Sequence, residues 1–138
     1  MPLSHVAILT ANLEKLAEFY RQLGLQDAFQ LNGEDGQLWI LYLDAGPRCF
    51  VELIVKSGAK PAGAAPAAGL HHICLEVADL AAEVTRLQGL GLTFTRPPNQ
   101  GRDGNRQAWL ADPDGNQVEL MQLAPGGQQA SYWRNKGG

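Results

Sequence analysis

Alternating apolar and polar positions mark out most of the chain. SHVAIL, residues 4–9, alternates as a strand does, and Leu13, Leu16, Tyr20 and Leu23 then recur at helical spacing. Asn12 stands where a helix N-cap belongs, and Gly24 where such a helix ends. Three further strands are predicted at about 25–31, 38–43 and 49–55, divided by turns at Asn32-Gly33 and Gly46-Pro47. The second half repeats this order. A strand at 71–77 precedes a helix with Leu80, Val84 and Leu87 on one stripe, capped by Asp79 and stopped by Gly91. Strands at about 92–96, 107–111 and 117–123 complete it, the last two divided by Asp114-Gly115.

The repetition has one register. A shift of 67 residues lays His5 on His72, Leu13 on Leu80, Leu23-Gly24-Leu25 on Leu90-Gly91-Leu92, and Val51-Glu52-Leu53 on Val118-Glu119-Leu120, without a gap. The expected fold is therefore α+β, built from two tandem βαβββ modules. Residues 1–138 read as a single domain, with module one at 3–56, a small-residue linker at 57–69, module two at 70–124 and a loose Gly/Gln-rich tail at 125–138.

Composition narrows the class. With 138 residues, 45% of them apolar and 18% charged, the chain is long enough for a core and ordinary for a soluble protein. A net charge of −3 without a basic run speaks against nucleic acid and membrane surfaces as partners. The start lacks a signal peptide's pattern, so a cytoplasmic location is expected. Cys49 and Cys74 lie in strand-like segments and read as buried, reduced thiols.

Four polar residues break the apolar strands. Glu52 shares a face with Phe50 and Ile54, where a lone buried carboxylate costs several kcal/mol unless it is paired or metal-bound. His5 shares a face with Ala7 and Leu9, and the shift reproduces both residues as His72 and Glu119. Two imidazoles and two carboxylates suit one divalent first-row ion (nickel, zinc, cobalt, manganese or iron) with positions left for water or substrate. Only one of His71 and His72 can face that site from a strand. The shift selects His72 and leaves His71 structural or in support of the site.

SHVAILTANLEKLAEFYRQLGL, GLHHICLEVADLAAEV and ADPDGNQVELMQL resemble the vicinal oxygen chelate superfamily over residues 3–124. That superfamily includes glyoxalase I, methylmalonyl-CoA epimerase, extradiol dioxygenases, and fosfomycin and bleomycin resistance proteins. The resemblance implies that the two βαβββ modules form curved mixed sheets around a metal pocket, with ligands from the first and last strand of each module (His5, Glu52, His72 and Glu119), and a homodimer, in some members with a site shared between subunits. The motifs look most like glyoxalase I. This implies a lyase or isomerase acting on a small molecule, with a metal-stabilised enediolate and Glu119, or second Glu52, moving the proton. At the positions where small bacterial glyoxalases grip glutathione, this chain has Leu9 and Lys56, so the substrate is expected to be something other than a glutathione adduct.

Arg96, Arg102 and Arg106, in the Gly-rich stretch 96–107, read as a flexible basic loop over an anionic substrate. The substrate-binding candidates are Arg102, Arg106, Lys56 and Trp109, while Trp39, Tyr42 and Phe50 read as core or pocket wall. The alternatives are an epimerase of the methylmalonyl-CoA type, an Fe(II) extradiol-type dioxygenase, a thiol- or water-adding resistance enzyme, and a metal-free drug-sequestering protein.

Overall fold

A computed structural model describes residues 2–63 and 68–136, so positions 64–67 of the expected linker lie outside the described residues. Module one runs β1 (His5–Thr10), α1 (Leu13–Gln22), β2 (Gln26–Asn32), β3 (Leu38–Asp44) and β4 (Phe50–Val55). Module two runs β5 (His72–Glu76), α2 (Leu80–Gly89), β6 (Arg96–Gln100), β7 (Arg106–Ala111) and β8 (Gln117–Gln122), and α3 (Gln128–Lys136) follows. Each module is a four-stranded mixed sheet, ordered β1-β4-β3-β2 and β5-β8-β7-β6. The first and last strands pair in parallel and the others antiparallel. The fold is α+β with two tandem βαβββ modules, and its backbone contacts divide into two compact units.

The helices begin where the sequence marks them. Asn12 accepts a hydrogen bond from the Lys15 amide, and Asp79 accepts one from the Ala82 amide, which satisfies donors that the first turn leaves open. Gly24 and Gly91 follow the helices at φ +96° and +87°, a conformation that side-chain-bearing residues resist. One face of each sheet is sealed by its helix. Leu16 and Tyr20 of α1 are buried with Val51, Leu53, Leu41 and Leu43, and Leu80 and Leu87 of α2 with Val118, Leu120, Ala108 and Leu110. The chemistry must therefore lie on the opposite faces.

Several expectations change. The third-from-last strand is β6 at Arg96–Gln100 rather than 92–96, although it contains Pro97 and Pro98. It is an edge strand whose pairing shifts between Arg96 and Asn99, so the two prolines fall where no ladder donor is required. The basic stretch 96–107 is thus mostly strand, and only the turn at 101–105 remains of the expected loop. The tail is not loose up to Lys136. Asn105, almost fully buried, receives the Ala124 amide and donates to Asp103 and Gln129, which pins the start of α3. Cys74 and Trp39 are exposed rather than buried. No described helix is long and apolar enough to cross a membrane.

Candidate metal half-sites

In module one, parallel pairing sets Ala7 beside Glu52 and His5 beside Phe50, so His5 and Glu52 emerge on the face turned away from α1. His5 Nδ1 lies 3.4 Å from Glu52 Oε1; the carboxylate side chain is 9% exposed and the imidazole 50%. Tyr42 stands opposite Glu52 on β3, and its hydroxyl donates to the carboxylate. Partial desolvation raises the Tyr42 phenol above its usual range, and the hydrogen bond to Glu52 and its negative charge push the same way. Phe29 stacks on Tyr42 with centroids 4.2 Å apart, and Phe50 meets both rings edge-on.

Module two repeats the arrangement in the same register. Cys74 sits beside Glu119 and His72 beside Gln117. His72 Nε2 lies 3.1 Å from Glu119 Oε2. Trp109 stands opposite Glu119, as Tyr42 does opposite Glu52, and the Arg96 guanidinium lies 5.0 Å over the indole, where module one has Phe29. The Cys74 thiol is pushed up to about 12, first by burial around the sulfur and then by the charge and hydrogen bond of Glu119. The thiol therefore remains protonated near neutrality and donates to Glu119. The residue as a whole is nevertheless exposed. Trp109 Nε1 is buried without an acceptor among the described residues.

Two ligands held about 2.0–2.2 Å from one ion, roughly 90–110° apart, lie about 3.0–3.5 Å from each other. Both His–Glu pairs have that spacing. Among the described residues, however, no three His, Cys, Asp or Glu side chains group closely enough to hold an ion. The expected four-ligand set stands as two pairs, one per module, each fit to supply half a coordination sphere.

The other expected site residues divide. Trp109 lies on the face that carries Glu119, and Lys56 continues the row of Glu52 and Ile54 just beyond β4. Arg102 is in the turn joining β6 to β7. Arg106 opens β7 on the side that Ala108 and Leu110 turn to the core, opposite Trp109. The arginine beside the site is Arg96. Sequence reading placed Arg96 in the basic loop without ranking it among the substrate-binding candidates, took Tyr42 as core or pocket wall, and gave Cys74 no part in the site. The 67-residue shift already contained the clue, because it lays Tyr42 on Trp109 and Phe29 on Arg96.

A family model for the Glyoxalase/Bleomycin resistance protein/Dioxygenase superfamily matches residues 3–120. The chain belongs to this superfamily. Among relatives within the glyoxalase superfamily, it is 33% identical over 131 residues to an ethylmalonyl-CoA/methylmalonyl-CoA epimerase from Cereibacter sphaeroides, covering 88% of this chain and 97% of the epimerase. It is 38% identical over 60 residues to a lactoylglutathione lyase from Pseudomonas aeruginosa, a match spanning 44% of this chain and only about a third (33%) of that lyase. A superfamily member from Sphaerobacter thermophilus has the same fold at a TM-score of 0.70 and 26% identity, over 89% of this chain and 98% of its own.

Proposed function

We propose that this glyoxalase-superfamily chain is a metal-dependent lyase or isomerase that moves a proton on a carbon next to a carbonyl. The supporting observation is the twofold His–Glu pair at ligand spacing, 3.4 Å in module one and 3.1 Å in module two. His5, Glu52, His72 and Glu119 together would hold one divalent ion, whether the two pairs come from one chain or from two copies in a homodimer. Bound there, the ion supplies positive charge against the negative charge that develops on a carbonyl oxygen when the neighbouring carbon loses its proton.

The chain's own residues do the rest. Glu119 is the proposed base and Glu52 the second carboxylate. A thiol donates a weaker hydrogen bond than a phenol, so Cys74 leaves Glu119 freer to swing and take a proton than Tyr42 leaves Glu52. Arg96, above the buried Trp109 ring that forms the wall beneath it, offers donors to the oxygens of a small-molecule substrate. Lys56 offers a further cation on the module-one face.

A second reading, a thioester epimerase, is favoured by the full-length likeness to the CoA-ester epimerase, where the lyase match is partial. Leu9, 59% exposed on the His5 row, is unsuited to gripping a carboxylate and argues in the same direction. Metal analysis of the purified protein, followed by incubation in deuterated water with α-hydroxycarbonyl thiol adducts and with 2-substituted malonyl thioesters, tests both. Label beside the carbonyl of one class assigns the substrate, and its loss on chelation and return with added ion supports the metal. A metal-loaded protein that labels neither class refutes proton transfer.

A further inference from the structure

β5 begins at His72, so His71 lies outside the ladder and escapes the alternation that would send it to the opposite face. Its Nδ1 lies 2.8 Å from Nδ1 of His72, with the rings perpendicular at 89°. Both rings stand edge-on to Trp109, at centroid distances of 6.2 and 4.7 Å, and the indole itself is only 6% exposed. A 2.8 Å contact between two ring nitrogens requires one of them to carry the hydrogen.

The other nitrogen of His72 faces Glu119 at 3.1 Å. When Nε2 of His72 carries its proton, it donates to that carboxylate, and Nδ1 must accept from Nδ1–H of His71. When Nε2 instead presents a lone pair, the His72 proton sits on Nδ1 and must be accepted by His71. Both arrangements hold the same number of protons. Module one has no counterpart, because Ser4 occupies the position that corresponds to His71.

We infer that His71 is a positioning residue that orients His72 through Nδ1 and exchanges the roles of donor and acceptor with it. His72 thereby turns Nε2 from a hydrogen-bond donor toward Glu119 into a lone pair available to a cation. This deepens the proposed function and rests on its assignment of His72 as a ligand. Partners of this kind typically change metal affinity ten- to a hundredfold.

The test is ¹⁵N NMR of histidine-labelled protein at pH 8, metal-free and after adding zinc, together with zinc titrations of His71→Phe and His71→Asn. The phenylalanine keeps a flat ring against Trp109 without nitrogens, and the asparagine can donate or accept. The metal-free spectrum is expected to show His71 protonated on Nδ1 and His72 on Nε2, and zinc is expected to exchange both tautomers. His71→Phe should weaken zinc about tenfold, and His71→Asn should recover most of that loss. Wild-type zinc binding with an unchanged His71 tautomer, or equal affinity in His71→Phe, overturns the role of His71 alone. Failure of the wild type to bind zinc overturns the metal reading, and the role of His71 with it.

Discussion

Trp109 lies directly across the β7–β8 ladder from Glu119, the place that Tyr42 holds opposite Glu52 in the first module. Each carboxylate is thus backed by an aromatic ring, and each ring is covered from the edge strand, by Arg96 in one case and Phe29 in the other. The modules share this scaffold but differ in charge at the edge strand, where a guanidinium in one takes the place of an aromatic ring in the other.

Trp109 is buried on the site face and cannot be removed without a cavity. Trp109→Ala is expected to lower stability by about 3–5 kcal/mol, read from urea unfolding. Arg96→Ala should cost only about 0.5–1 kcal/mol, the scale of an exposed cation–π contact. A larger loss from Arg96→Ala than from Trp109→Ala would contradict this arrangement.

Single replacements of the four proposed ligands should each weaken the metal. His5→Ala and His72→Ala are expected to reduce affinity by more than the ten- to hundredfold that an outer partner contributes. Fluorescent-chelator competition reads this directly. Wild-type affinity in either variant would remove that residue from the set.

The Cys74 thiol gives a pH signature in metal-free protein. Its value of about 12 means that the folded chain keeps the proton across the range, beginning near 8.5, in which a free thiol loses it. Any stability owed to this raised value is complete below that range and declines as pH rises toward 12. At pH 8.5, with Cys49→Ser as background, Cys74 should be alkylated on the order of a thousandfold more slowly than a free thiol, although the residue is exposed. Glu119→Gln removes the negative charge beside the sulfur and leaves only a neutral amide oxygen to accept from the thiol, and should speed alkylation. Rapid alkylation of the parent protein would show that Glu119 does not hold the thiol.

Asn105 joins the β6–β7 turn to the start of α3, receiving the Ala124 amide and donating to Asp103, Met121 and Gln129 while almost wholly buried. Asn105→Ala should cost about 2–3 kcal/mol through the partners it strands. Limited proteolysis is expected to cut first near residues 124–128 in this variant. Unchanged cleavage would show that α3 is held by other contacts.

The helix caps offer a paired control. Asn12→Ala and Asp79→Ala should each cost about 1 kcal/mol, because each removes one acceptor from an otherwise open first turn. Chemical denaturation measures both.

Local chemistry made the two modules, both helices with their caps and stop glycines, and the His and Glu rows legible from the residues alone. Caps, glycine stops and strand alternation depend on neighbours a few positions away, and one shift of 67 carried them through the chain. The tertiary structure decided where β5 and β6 begin, and with them which way His71 turns and which arginine meets the site. At strand ends the ladder, not the alternation, sets direction, so His71 reached His72 and Pro97-Pro98 entered an edge strand. The order of α3 was also decided there, because a side chain 24 positions earlier holds Gln129. Contacts over such distances leave no period in a sequence.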